Sequence, residues 1–191
     1  MKALKLTLII MMTLMVLFLI IPLFLPAEAG ATGQIVINEP VEKIYEQVNR
    51  LQNWEQWSPF ETDSTMVNTY TGKERGVGAV RHWKGEKMGE GSITIVKSDS
   101  LASIETQLNF GPQGQGKGQW QFESKNGHTR VQWHLQIDRL KYPFGKWLGL
   151  VMPGMMQNMI EQGLKQLKVF CEQKQTNDNS FPVPATMKKD C

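Results

Sequence analysis

Between Trp147 and Glu172 the residues Met152, Met156, Met159, Ile160, Gly163, Leu164, Leu167, Phe170 and Cys171 fall on one side of a helix of ~3.6 residues per turn. Gln157, Asn158, Glu161, Gln162, Lys165, Lys168 and Glu172 fall on the other side. A long helix with one apolar stripe must cover an apolar surface. What precedes it is a run of short segments with period two, so the chain is expected to be an α+β domain whose antiparallel sheet lies against this closing helix.

The strands can be taken in order. Gln34–Asn38 alternates around Ile35 and Ile37, and Glu39-Pro40 ends it. Pro40 is well placed to start a helix, and Val41, Ile44, Tyr45, Val48 and Leu51 follow at helical spacing. A second helical turn covers Asn53–Trp57 and stops at Ser58-Pro59. Six segments with strand character follow: Met66–Gly72, Ala79–Lys84, Gly89–Lys97, Ser103–Phe110, Lys117–Glu123 and Thr129–Asp138. In the last of these Val131, Trp133, Leu135 and Ile137 alternate with Gln132, His134 and Gln136, so one face is buried and one is wet. Gly111–Gly118 and Gly76-Val77-Gly78 read as turns, because neither lies between a strand and a helix as a phosphate cradle would.

From Leu6 to Ala27 the chain carries no charge, a run of roughly 33 Å as a helix, enough to cross a bilayer. Lys2 and Lys5 precede it, which places the N-terminus in the cytoplasm and the domain outside it. A cleaved signal peptide is the competing reading, since Ala27-Glu28-Ala29 has the small-residue pattern of a cleavage site. The apolar run exceeds the ~7–15 residues usual for a signal, so a single-pass anchor is expected. The division is then 1–27 anchor, 28–33 flexible linker, 34–173 folded domain and 174–191 disordered tail.

The formal charge of +3 falls to +1 with Lys2 and Lys5 set aside, and no basic run exceeds Lys188-Lys189. That argues against a nucleic-acid surface. Cys171 and Cys191 read as a buried thiol and a loose terminal one, or as a disulfide holding the tail outside the cytosol. His82, His128 and His134 have no Cys or carboxylate at ligand spacing, so neither metal nor cofactor is expected.

Several spaced motifs occur together: Ile37-Asn38-Glu39-Pro40-Val41-Glu42-Lys43-Ile44-Tyr45, Asn53-Trp54-Glu55-Gln56-Trp57-Ser58-Pro59, Gly76-Val77-Gly78-Ala79 with Trp83 and Gly85, and Thr129-Arg130-Val131-Gln132-Trp133. Together they resemble the polyketide cyclase/dehydrase-like branch of the START-like (SRPBCC) superfamily, over about residues 34–172. The resemblance implies a helix-grip fold, a curved seven-stranded antiparallel sheet around a long C-terminal helix. It also implies a hydrophobic ligand between sheet and helix. Some members of that superfamily are cyclases or dehydratases, and many bind lipids or hormones.

Strand parity sorts the candidate residues. His134 is opposite in parity to Trp133, and His82 to Trp83, so both face solvent. Arg81 shares parity with Trp83; it is either a rim residue whose stem packs on the sheet or a polar anchor for a ligand head group. Trp54 and Trp57 share a helix face and either pin the small helices or line the cavity mouth. Leu108, Phe110, Trp120, Trp133, Trp147, Met152, Met155, Met156 and Met159 complete the expected lining. Methionine is unbranched and suits varied apolar ligands, so the first half of the closing helix, broken at Pro153-Gly154, reads as an adaptable wall. Ile160 to Cys171 reads as a core clamp.

No set of acid, base and nucleophile emerges. The expected function is a membrane-anchored, monomeric binding module for a small hydrophobic or lipid-like molecule. The alternatives are a cyclase or dehydratase acting on a bound carbonyl compound, and an envelope structural or stress protein with a filled core.

Overall fold

The computed structural model describes residues 2–111 and 114–178, and the side chains of 2–111 and 114–173. Helix α1 (Lys2–Ile20) runs into a 3₁₀ turn, Ile21–Leu23. Seven strands follow: β1 (Ala29–Ile37), β2 (Val67–Gly72), β3 (Ala79–Gly85), β4 (Gly89–Asp99), β5 (Ser103–Asn109), β6 (Gln115–Lys125) and β7 (His128–Asp138). They form one antiparallel sheet in the order β1-β7-β6-β5-β4-β3-β2. Helix α2 (Val41–Asn49) and a 3₁₀ turn (Leu51–Gln56) lie between β1 and β2; α3 (Phe144–Leu148) and α4 (Met152–Asp178) close the chain. This is the helix-grip arrangement.

The alternation along β7 produces the expected faces, with Val131, Trp133, Leu135 and Ile137 all buried. Helix α4 runs beside β1 in the same direction, pressing Ile160, Leu164, Leu167 and Cys171 into the core. Two glycines set how close it comes. A Cβ on Gly33 would lie 2.6 Å from Ile160 Cγ2, and one on Gly163 would lie 2.9 Å from Trp133 Cζ3 and 2.8 Å from Pro59 Cδ. Polar contacts fix the far end: Lys168 Nζ donates to the Val36 carbonyl at 2.9 Å, and the Asn38 amide donates to Glu172 Oε1 at 2.9 Å.

Tryptophan fills the middle of the grip. The rings of Trp120 and Trp133 stack with centroids 4.3 Å apart and planes within 15°. Trp54 and Trp57 meet Trp120 edge-on, each at 5.8 Å, the offset geometry aromatic pairs favour.

Four sequence expectations are corrected. The stretch 28–33 is not a linker: Ala29 to Gly33 form the first half of β1, paired with Ile137 to Trp133. Gly33 among them serves the close approach of α4. The closing helix breaks earlier than Pro153-Gly154, between α3 and α4, and Pro153 sits in the first turn of α4, where its missing N–H costs nothing. Gly116 and Gly118 belong to β6, not to a loop. The helix continues through Asp178, so the tail is not irregular from 174; residues 179–191, and with them Cys191 and the pairing question, lie outside the described residues.

Helix α1 with its 3₁₀ turn, Lys2–Leu23, is long and apolar enough to cross a membrane, and a signal sequence would have the same character. Its apolar side chains are exposed along its length.

The glycine contacts make a test. Gly33→Val overpacks the β1–α4 contact and is expected to destabilise the chain by about 1–3 kcal/mol. Gly154→Ala, with nothing within 4 Å of the new methyl, is expected to be neutral or to stabilise by up to ~1 kcal/mol. Chemical unfolding of the full chain in mild detergent measures both.

Candidate ligand-binding site

The tryptophans occupy the centre, and an enclosed apolar space lies to one side of them. Arg81 of β3, Ile93 of β4 and Leu108 of β5 lie side by side across the sheet and form the floor of an apolar concavity. Trp83 and Phe110 make its outer wall, their rings edge-on at 5.8 Å. Trp83 lies flat over Gly91, where a Cβ would come within 2.3 Å of its Cζ2, so only glycine admits the ring there. Trp54 and three residues from connecting segments, Phe60, Met66 and Met88, form the roof.

The enclosed space is about 40 Å³, room for a few waters, whereas small-molecule pockets run to ~300–1,000 Å³. Occupancy by anything larger than water requires the roof to move. Its side chains suit this, because Met66 and Met88 are unbranched and sit on turns rather than in the sheet.

One ion pair supplies the polarity. Arg81 is 3% exposed. Its Nη2 donates to Glu61 Oε1 in a short ion pair, and Asn68 Oδ1 accepts from Nε at 3.1 Å and from Nη2 at 2.9 Å. Asn68 Nδ2 donates in turn to Glu61 Oε2 at 3.2 Å, closing the triangle. The buried guanidinium therefore has both a counter-charge and hydrogen bonds, as burial of charge demands. The indole N–H of Trp83 is buried with no partner among the described residues. Beside them the Tyr70 hydroxyl donates to Glu55, and burial, with that bond, pushes its ionisation well above the usual phenol range.

Asp63 clasps the roof. It accepts from the Thr65 hydroxyl at 2.6 Å, the Thr65 amide at 3.0 Å, and the Lys87 and Met88 amides at 2.8 and 3.1 Å. One carboxylate thus joins the segment carrying Phe60 and Met66 to the β3–β4 turn carrying Met88. The Thr65 hydroxyl, ahead of the three backbone amides, holds this carboxyl well below the usual range against the opposing effect of burial.

Of the residues expected to line a cavity, Trp54, Arg81, Trp83, Leu108 and Phe110 meet here. Trp57, Trp120 and Trp133 are core. Met156 is buried under α4, and Met152 and Met159 pack against the same core. Met155 faces outward, and Trp147 stacks on Phe18 of α1 at 5.7 Å. The helix wall expected from the methionine pattern is therefore not part of this pocket. Sequence reasoning missed Phe60, Glu61, Asp63, Met66, Asn68, Met88 and Ile93. The Asp63-x-Thr65 pattern signals a side-chain-capped turn and offered a way to the clasp. His134 and His82 lie on the other face, bonded to Thr32 and Thr71.

A curved sheet gripping a helix, with an apolar pocket and one buried ion pair, defines a helix-grip ligand-binding domain. Residues 28–172 match the polyketide cyclase/dehydrase and lipid transport family, and the chain belongs to it. The chain is also similar in fold to solved structures of low identity. The protein TTHA0849 from Thermus thermophilus is 18% identical, with a TM-score of 0.57 over 76% of this chain and 98% of that one. The protein XoxI from Bacillus cereus is 14% identical, with a TM-score of 0.56 over 77% and 98%. DynU16, from the dynemicin biosynthetic locus, is 12% identical, with a TM-score of 0.55 over 76% of this chain and 48% of that one. Among curated proteins none matches the sequence.

Two variants test the site's electrostatics. Arg81→Met alone strands Glu61 and is expected to cost about 3 kcal/mol, more than Arg81→Met with Glu61→Leu, in unfolding titrations. Asp63, with a lowered folded value, stabilises above its ordinary value of about 4 and loses that contribution as pH falls further. Asp63→Asn should therefore be less stable than the parent at neutral pH, and the gap should begin to narrow below about pH 4 and persist in part at about pH 3.

Proposed function

We propose that the chain is a membrane-anchored module, held by residues 2–23 with its domain on the extracytoplasmic side, that binds a small hydrophobic or lipid-like molecule. The observation that carries this reading is the pocket between β3, β4, β5 and the Trp54 turn. It is apolar on all sides but the floor, and methionines cover it. The family's association with lipid transport supports it.

Binding draws on burial. A ligand losing ~300 Å² of apolar surface gains about 7 kcal/mol, before the costs of association and of lifting the roof. Orientation comes from the polar floor. The unpartnered Trp83 N–H asks for an acceptor, and Nη1, which makes none of the Arg81 hydrogen bonds described, is a second donor. Glu61 already balances the guanidinium charge, so the favoured head is a carbonyl or other neutral acceptor.

Two other readings keep a specific basis. Arg81 and Glu61 place a cation and a carboxylate beside the bound molecule, which a cyclase or dehydratase acting on a carbonyl compound would need. The small enclosed volume favours a structural protein with a filled core. Native mass spectrometry of the full chain released from detergent, after incubation with fatty acids and aromatic ketones, separates them. The binding module is expected to carry ligand and return it unchanged; a product of altered mass favours the enzyme. Leu108→Trp, which fills the floor, is expected to abolish uptake, and Asp63→Ala, which frees the roof, to speed it severalfold. No uptake by either the parent or Asp63→Ala would leave the filled core standing.

A further inference from the structure

Tyr142 to Met155, spanning α3 and its flanks, exposes a run of large apolar side chains at one end of the domain. Phe144 is 72% exposed, and Leu148, Leu150, Val151 and Met155 are each more than half exposed. The segment is locked to the end of α1. Trp147 stacks on Phe18 and donates its indole N–H to the Phe18 carbonyl at 3.0 Å; the Tyr142 hydroxyl donates to the Leu19 carbonyl at 2.7 Å. Lys146 Nζ donates to the Leu25 carbonyl at 2.9 Å, and the Leu140 amide to that of Ala27 at 2.8 Å.

Those contacts set a depth. A hydrocarbon core of ~30 Å takes about 20 helical residues, so an anchor ending at Leu23 puts Phe18 and Leu19 within about 8 Å of the outer boundary of the core. Side chains bonded to Phe18 and Leu19 lie in that outermost layer. Tryptophan and tyrosine favour this zone, where an apolar ring and a polar tip are both satisfied. From Arg139 to Ile160 there is no acidic residue, while Arg139, Lys141 and Lys146 are basic; Glu28 and Asp138, at the same end of the sheet, bond Gln136.

The sheet register brings the pocket to the same end. Ala29, the first residue of β1, pairs with Ile137, which pairs with Gly116, then Leu108, Ile93 and Arg81 in turn. The pocket floor thus shares a row of the sheet with the residue that follows the anchor, and Trp83, Phe110 and Met88 lie one step further toward that end.

We propose that Tyr142–Met155 is a bilayer seat: it lies in the interface of the leaflet from which the anchor emerges and holds the pocket end of the sheet against the membrane, so that ligand exchanges with the bilayer. The seat rests on the anchor reading of the preceding section. It accounts for the apolar exposure at α3, the three basic residues near it and the fixed contacts with Phe18 and Leu19, which a domain swinging free in water would not require.

The test uses the full chain with Cys191→Ser, in vesicles of phosphatidylcholine and phosphatidylglycerol. Single cysteines at Leu148→Cys, Val151→Cys and, as control, Val77→Cys carry an environment-sensitive fluorophore; Cys171 is fully buried. Val77 is exposed in the turn between β2 and β3, at the opposite end of the sheet. The labels at 148 and 151 are expected to be quenched by acyl-brominated lipid severalfold more than the label at 77, and to be shielded from aqueous iodide. Labels at 148 and 151 as open to iodide as that at 77 would overturn the seat. The intact mass of the chain recovered from bacterial membranes, with its resistance to alkaline extraction, reads the anchor separately. Loss of the segment before Ala29 overturns anchor and seat together; an intact chain with wet labels overturns the seat alone.

Discussion

The stack of Trp120 on Trp133 governs where this domain can hold anything. Both rings come from neighbouring strands, β6 and β7, and both are shut from solvent. Trp54 and Trp57 wedge against them from the connecting turn, and α4 presses down through Gly163. Rigid aromatic volume thus fills the place where a sheet wrapped on a helix would otherwise leave a central hollow. Interiors close-pack, so the remaining free space is displaced rather than shared out. It appears beside the stack, over β3, β4 and β5, where α4 does not reach and short turns form the cover.

This displacement explains the character of the pocket. A roof made of turns can open without breaking the sheet or lifting α4, whose contacts at Gly33 and Gly163 leave no play. Opening it breaks the hydrogen bonds of Asp63 and pulls on the Glu61–Arg81 pair, because Glu61 sits beside Phe60 in the same segment. The floor is different, because Arg81 is held on three sides by Glu61, Asn68 and the sheet, and so presents a fixed polar landmark to whatever enters.

Much of the architecture was legible in the chain. Val131, Trp133, Leu135 and Ile137 announced a half-buried strand, and the stripe from Met156 to Cys171 announced its cover, because both patterns record burial directly. The motifs around Trp54, Gly76 and Thr129 pointed to the family. The pocket was less legible, because its position depends on how large side chains from separate strands share volume, and no local pattern encodes that. The methionines of α4 looked like a ligand wall, but the enclosed pocket is lined from β3, β4, β5 and the segments over them, without α4. Ala29 to Gly33 looked like slack chain for a related reason: small residues mark flexibility in a linker and close approach in a strand, and only the facing Ile160 distinguishes the two. Parity put Arg81 on the inner face but could not show that Glu61, from a distant turn, would meet it there.

The missing slack before β1 bears on how such a domain could operate. The Ala27 carbonyl is already bonded to Leu140, and Ala29 is already in the sheet, so nothing between helix and sheet can unreel like a leash. A carrier that ferries cargo across an aqueous gap needs a tether that spans it, since reach falls to nothing when the linker is too short. With α1 retained, this domain is a fixed station. On the anchor proposed above, any hand-over would have to be completed by an acceptor that comes to the membrane.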